Sequence, residues 1–200
     1  LYHALEENKP YDQMVRELVN PEAESEGFIR GIKWRGEVNA SQTIEMQAAQ
    51  NIGQSLMGIN VKCASCHNSF VSNLTLEQTY GFASIFADSV LELNRCDKPL
   101  GRYAKVGFLY PELGEVDAQR IKDRLEQLSQ VMVKPQNGRL YRTISNRIWE
   151  RLLGRGIVEP LDEMDNPPWN AQLLDWLAAD FIDSGHDLKH LIKQIMSSQA

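Results

Sequence analysis

The stretch of sequence that decides the fold is SQTIEMQAAQNIGQSLMG, residues 41–58. Its apolar residues recur every four positions, at Ile44, Ala48, Ile52 and Leu56. This spacing places them on one face of an α-helix. Gly58 is suited to end that helix, because glycine readily adopts the left-handed conformation of a helix C-cap. The pattern therefore predicts a helix over about 41–57 with one buried face.

Similar apolar stripes occur on both sides of this stretch. They follow potential helix-starting residues at Pro10, Thr75, Asp117, Asn170 and Asp187, and a further stripe covers residues 140–152. Residues 21–40 are expected to form a short strand or an irregular packed loop, and residues 88–116 an irregular segment with several prolines and glycines. No alternating β pattern competes. The sequence predicts an all-α fold, an irregular helical bundle with long loops.

Composition and charge limit the class of protein. The chain has 200 residues, of which 42% are hydrophobic and 24% charged, and this is ordinary globular composition. Its net charge of −6 argues against a nucleic-acid partner. No apolar run reaches the roughly 18 residues of a membrane span, so no transmembrane segment is expected. Because the chain starts at Leu1 within a helical pattern, we expect an internal piece of a longer protein.

One motif points to chemistry: Cys63-Ala64-Ser65-Cys66-His67 has the spacing of a c-type haem attachment site. In a helical turn, residues three and four apart share one face. The thiols of Cys63 and Cys66 could then bond the two vinyl groups of a porphyrin, while His67 binds the iron as proximal ligand. We therefore expect covalent haem c on a helical turn.

The cysteines leave other interpretations open. Cys63 and Cys66 could form a reducible disulfide, or half of a zinc site completed by Cys96 and a histidine. Zinc is disfavoured because the chain lacks a second Cys-x-x-Cys pair and because His67 directly follows Cys66. Cys96 itself is expected to be a buried small side chain, to pack near the haem, or to pair outside this chain.

The second axial ligand of the iron is not evident from the sequence. The remaining histidines are His3, His186 and His190, and the last two fit solvated positions at a helix start. Possible thioether ligands are Met46, Met57, Met132 and Met164. We predict no strong distal ligand, with methionine as the first alternative.

No catalytic constellation is identified, so the sequence leaves open whether the protein is an enzyme. Gly-x-Ser-x-Gly, His-Glu-x-x-His and glycine-rich phosphate-loop patterns are absent. Asp162, Glu163 and Asp165 precede Pro167-Pro168 and are expected to form a rigid, exposed connector. The arginines near residues 139–155 are expected to form salt bridges with neighbouring carboxylates.

Several stretches together resemble large multidomain proteins in which a planctomycete-type cytochrome c domain precedes two paired domains of unknown function. They are Asn8-Lys9-Pro10-Tyr11-Asp12, the Cys63–His67 motif, Asn146-Arg147-Ile148-Trp149, Gly154-Arg155-Gly156-Ile157-Val158 and Leu173-Leu174-Asp175-Trp176-Leu177. The resemblance implies that residues 1–135 are the end of the first paired domain and residues 136–200 the start of the second. The family pattern often continues after the motif with Asp-His-Pro-Phe, whereas this chain has Asn68-Ser69-Phe70, so the role of that second histidine is not carried over.

The resemblance implies an exported protein, periplasmic or otherwise extracytoplasmic, with haem c. The function that we expect is electron transfer to a redox partner or to other domains of the same polypeptide. The opposing hypothesis is a non-haem helical module that recognises a glycan or a protein, with structural or metal-binding cysteines. A third is an enzyme whose iron keeps an open sixth position for peroxide or another small molecule.

Overall fold

The computed structural model describes residues 1–21 and 25–199. About 53% of the chain is helical. The described helices are α1 (Tyr2–Glu6), α2 (Tyr11–Val19), α3 (Gly27–Arg35), α4 (Ile44–Met57), α5 (Leu76–Ala83), α6 (Ile121–Met132), α7 (Gly138–Leu153), α8 (Ala171–Asp183) and α9 (Leu188–Met196). Short 3₁₀ turns lie at Cys63–Ser65, Ser84–Phe86 and Pro111–Leu113. No described helix has the length and apolarity needed to cross a membrane.

The prediction of an all-α fold is wrong, because two strands, β1 (Glu92–Arg95) and β2 (Lys98–Tyr103), pair as an antiparallel hairpin. Its two-residue turn is Cys96-Asp97, with Cys96 at a φ of +55°. Such turns usually contain Asn-Gly or Asp-Gly, since these residues tolerate positive φ. Pro99 lies within β2, although proline is disfavoured inside strands because it cannot donate a backbone hydrogen bond. The sequence of the hairpin therefore lacks the local patterns from which a hairpin is predicted. The protein is mostly helical, with one small sheet.

Residues 21–40 also differ from the prediction. Instead of a strand or irregular loop, they contain α3, in which Ile32 is buried; residues 22–24 lie outside the described part. Gly27 and Gly31 weaken the helical signal in the sequence, because glycine has low helix propensity. The contact of α3 with α4 supplies the stability that propensity does not.

The helix predicted over 41–57 is confirmed, with its start three residues later, at Ile44. Thr43 caps it by accepting a hydrogen bond from the Met46 N–H at 3.3 Å. Gly58 ends it in the left-handed conformation, with φ +57°. The predicted apolar face is buried: Ala48, Ile52 and Leu56 are in the core, while Ile44 is half-buried.

The helices on either side of the predicted boundary near residue 135 share one hydrophobic core. Helix α4 packs against both α5 and α7, and α2 packs against α6. The ring of Tyr11 lies 5.9 Å from that of Phe181, which brings α2 to the end of α8. Arg147 of α7 donates a hydrogen bond to the Gln54 carbonyl of α4 at 2.7 Å. Residues early in the chain are thus held in place by helices from its last third.

Candidate functional site

The CxxCH motif begins on a 3₁₀ turn, Cys63–Ser65, that follows α4, and Cys66 and His67 lie just beyond this turn. Its two middle residues, Ala64 and Ser65, are fully buried, whereas Cys63 is exposed and Cys66 half-buried. The Cys66 N–H donates to the Cys63 carbonyl at 3.3 Å, which closes the turn. With three residues per 3₁₀ turn, side chains at i and i+3 lie one above the other. The turn is therefore anchored through its middle residues and leaves Cys63 exposed and Cys66 partly accessible.

Helix α4 holds this turn. The Ser65 hydroxyl donates to the Lys62 carbonyl at 2.7 Å and lies 3.4 Å from the amide nitrogen of Gln50, on α4. The intervening Ile59 and Val61 are buried. They pack close to Gly53, where a Cβ would lie 3.4 Å from the Ile59 carbonyl oxygen. The buried face of α4 thus braces the turn that carries the motif.

His67 is oriented by the backbone of its own loop. Its Nδ1 lies 2.7 Å from the Asn68 carbonyl oxygen. Because a carbonyl only accepts, Nδ1 carries the proton in the neutral ring and Nε2 keeps its lone pair. Asn68 is fixed in turn, since its side chain accepts a hydrogen bond from the Leu76 N–H at 2.9 Å, at the start of α5.

An apolar surface adjoins the histidine. The Phe70 ring lies 4.5 Å from the His67 ring, at an interplanar angle of 34°. Phe70 is 88% exposed and Val71 63% exposed. Large apolar side chains so exposed next to one another form a surface that a flat apolar ligand or a partner could cover.

The tip of the β-hairpin meets the motif. The Cys96 N–H donates to the Cys66 carbonyl at 3.3 Å. Tyr80 is buried beneath them, with its hydroxyl 3.5 Å from the Asn94 carbonyl. Burial raises the pKa of Tyr80, and the neighbouring Cys66 thiol adds to this effect. The prediction that Cys96 is buried is wrong, because the residue is exposed. Its approach to Cys66 had no signal in the sequence, since 29 residues separate the two.

The structure does not support the zinc alternative. Among the described residues, no three or more side chains of histidine, cysteine, aspartate or glutamate are arranged to hold a metal ion. Cys63, Cys66 and Cys96 lie near one another along the turn and the hairpin tip without forming such a set.

The methionines considered as distal ligands pack within the protein. Met46, Met57 and Met132 are buried in the core. Met164 packs against Gly58, and its N–H donates to the Gly58 carbonyl at 2.9 Å. These positions give each methionine a packing role.

The two later histidines differ from the expectation of solvated positions. His186 is half-buried, with its ring 5.1 Å from the ring of Tyr141 and its Nδ1 3.4 Å from an Asp12 carboxylate oxygen. His190 lies 2.7 Å from the Asp180 carboxylate. Both thus belong to the packing of α8 and α9, and His186 joins them to α2.

The acidic loop, residues 159–169, docks on the end of α4. Arg147 contacts Asp162 at 2.5 Å, and Arg139 forms an ion pair with Asp165. Gln54 of α4 donates to the other Asp162 oxygen at 2.6 Å. The predicted arginine salt bridges are present, but the loop is tied to α4 and is not a simple exposed connector.

Comparison with known protein families gives two matches. Residues 1–90 match the family model PSCyt2, described as a protein of unknown function (DUF1549), and residues 123–200 match PSD1, described as a protein of unknown function (DUF1553). No curated protein and no solved structure matches the chain. The chain therefore joins two domains of unknown function, the first of which includes the CxxCH motif; no cytochrome domain is matched.

Proposed function

We propose that this chain binds haem c covalently through Cys63 and Cys66, with His67 as the proximal ligand of the iron, and transfers electrons within a larger exported bacterial protein. The observation that carries the proposal is the state of His67. Its Nδ1 is bound to the Asn68 carbonyl at 2.7 Å, which leaves Nε2 available to a metal. Histidines that bind metals commonly donate their other ring N–H in this way.

The two cysteines fit covalent attachment. Cys63 is exposed and Cys66 half-buried, while the residues between them hold the turn in the core. Vinyl groups could therefore reach both thiols without disturbing the packing of Ala64 and Ser65. The exposed ring of Phe70 and the exposed side chain of Val71 provide an apolar surface beside the motif that a porphyrin could cover.

Electron transfer is the role that this arrangement favours. When bound, haem c supplies one-electron redox chemistry. The exposed Cys63 places the attachment edge at the surface, where an electron could pass to a partner or to another domain. The names of the two matched family models support a place beside planctomycete-type cytochrome c domains. Haem c is attached on the exported side of the bacterial membrane, which supports an extracytoplasmic location.

The positions of the methionines bear on the other axial position of the iron. Because three of the candidate methionines are in the core and the fourth is bound to the end of α4, we propose that this chain supplies no strong distal ligand. The reduced haem protein should then bind carbon monoxide readily. A low-spin spectrum unaffected by carbon monoxide would contradict this part of the proposal.

The test is the mass of the protein produced in the periplasm of a bacterium with an active haem c maturation system. The wild-type chain should carry the mass of one haem after denaturation, and Cys63→Ser/Cys66→Ser should carry none. Cys96→Ser is the matched control and should keep the haem. His67→Ala should alter the absorption spectrum. Wild-type and Cys96→Ser proteins that both have only the mass of the polypeptide would overturn the proposal.

A further inference from the structure

The third cysteine of the chain is held against the motif by the backbone. Cys96 occupies the first position of the hairpin turn, and its N–H donates to the Cys66 carbonyl at 3.3 Å. Because the N–Cα, Cα–C and C=O bonds are short, this contact holds the Cα atoms of the two residues at most about 7 Å apart. Disulfides bridge Cα atoms about 4.4–6.8 Å apart. The two backbones therefore lie at a separation that a disulfide can span.

The backbone conformation of Cys96 suggests that this cysteine has a role besides forming the turn. A side chain other than glycine, asparagine or aspartate at φ +55° is uncommon. Glycine would form the same turn without steric cost. Cysteine offers no turn-forming advantage here, but its thiol is exposed and next to a half-buried cysteine.

We propose that Cys66 and Cys96 form a disulfide in protein that carries no haem. The oxidant is a disulfide of the glutathione class. One protein thiolate attacks it and forms a mixed disulfide, releasing one glutathione thiolate; the second protein thiolate then attacks the mixed disulfide and releases the other. Two cysteine thiols are oxidised, the glutathione disulfide is reduced, and the two protons pass to the released thiolates.

This bond would regulate the attachment site, a consequence that rests on the proposed function. Cys66 cannot form a thioether to haem while it is bonded to Cys96. Reduction of the Cys66–Cys96 disulfide would be required before haem attachment, and attachment would free Cys96. The disulfide itself needs no haem, so it can be tested separately.

The chain offers a convenient way to test the pairing. Trypsin cleaves after Lys62, Arg95 and Arg102, so Cys96 lies in a peptide covering residues 96–102 while Cys63 and Cys66 share residues 63–95. Reduced haem-free protein is treated in its native state with oxidised glutathione, and unreduced tryptic peptides are analysed by mass spectrometry. The two peptides should appear as one cross-linked species, lighter by two hydrogens than their sum.

Single variants identify the cysteine that pairs. Cys63→Ser should keep the cross-link, and Cys66→Ser should lose it. The oxidised wild type and oxidised Cys63→Ser should both melt at a higher temperature than their reduced forms. A disulfide within residues 63–95, or a cross-link that survives Cys66→Ser, would overturn the pairing.

A separate measurement tests the regulatory consequence. The two proteins, wild type and Cys96→Ser, are produced in cells with the haem c maturation system. The fraction of Cys96→Ser that carries haem without added reductant should equal or exceed the fraction of wild type that carries haem when reductant is added. Equal loading of both proteins without reductant would reject the regulatory role, even if the disulfide forms. Absence of haem from both proteins would reject the proposed function and leave the disulfide result intact.

Discussion

Single buried polar residues fix the loops that the helices do not. Asn146 is fully buried, and its side-chain oxygen accepts hydrogen bonds from the N–H groups of Ile157 and Val158 at 2.7 and 2.9 Å. Arg124 is also buried and donates to the carbonyls of Ile85 and Gln119 at 3.1 and 2.8 Å. The sequence did not predict that either side chain is buried, because a polar residue in a helix is most often exposed; Asn146 entered only as part of a family motif.

Tyr110 gives a prediction about alkaline pH. Burial raises its pKa to about 12, even though the Arg139 guanidinium, 5.5 Å from the ring centre, lowers it. The unfolded phenol loses its proton near pH 10, so between about pH 10 and 12 the unfolded state binds fewer protons than the folded state. The stabilisation is complete below about pH 10 and is lost as pH rises towards 12. It amounts to about 2 kcal/mol.

The measurement is the free energy of unfolding in urea at about pH 9 and about pH 12. Tyr110→Phe should lose about 2 kcal/mol less than wild type over this interval. Some loss should remain, because burial also raises the pKa of Tyr11 and Tyr141. Tyr103→Phe, at an exposed position, is the matched control. Equal losses in wild type and Tyr110→Phe would contradict the prediction.

At the scale of elements, the ends of the helices position the site. Thr75 and Gln78 form the expected capping box at the start of α5, and Asn170 and Asp187 cap α8 and α9 as predicted. The end of α4 has a further role, because the Met164 side chain of the acidic loop packs against Gly58. This contact links the helix that braces the CxxCH turn to the second half of the chain.

Two glycines with similar conformations test the importance of that contact. Gly58 and Gly154 end α4 and α7 with φ of +57° and +79°. A Cβ at Gly58 would lie 2.3 Å from Met164 Cγ, whereas one at Gly154 would meet no atom within 4 Å. Gly154→Ala should cost about 1 kcal/mol for its left-handed backbone. Gly58→Ala should cost about 1–3 kcal/mol more, because it also forces the packing apart.

Urea unfolding of both variants measures the difference. Both glycine substitutions are then repeated in a Met164→Ala background, which removes most of the colliding side chain. There, the losses in free energy of unfolding caused by Gly58→Ala and Gly154→Ala should differ less. Equal destabilisation by Gly58→Ala and Gly154→Ala would show that the acidic loop moves aside at little cost.

At the scale of the whole molecule, the two matched segments form one packing unit. The core includes Ile52 from the first segment and Leu177 from the second, both almost fully buried. The contacts of α4 with α7, and of Tyr11 with Phe181, connect them. We therefore expect the two segments to unfold together.

Ile52→Ala tests this expectation. The substitution should lower the free energy of unfolding by about 2–4 kcal/mol, because it leaves a cavity in a closely packed site. With Trp34 replaced by phenylalanine in every variant, the remaining tryptophans, Trp149, Trp169 and Trp176, all lie in the second segment. Their fluorescence should report the same lowered midpoint as circular dichroism does for the whole chain. Ile192→Ala, at a position 38% exposed, is the control and should have a smaller effect. An unchanged tryptophan midpoint in Ile52→Ala would show that the segments unfold separately.

The sequence by itself determined the features whose information is local. The four-residue apolar spacing of α4, the caps at Thr75, Asn170 and Asp187, and the CxxCH spacing depend only on residues close in the chain, so their patterns can be recognised. The tertiary structure decided what depends on distant residues. It formed α3 despite two glycines by packing it on α4, and a hairpin without a favourable turn sequence. It also brought Cys96 against Cys66 across 29 intervening positions of the chain, because contacts between distant segments follow from the packing of the whole core.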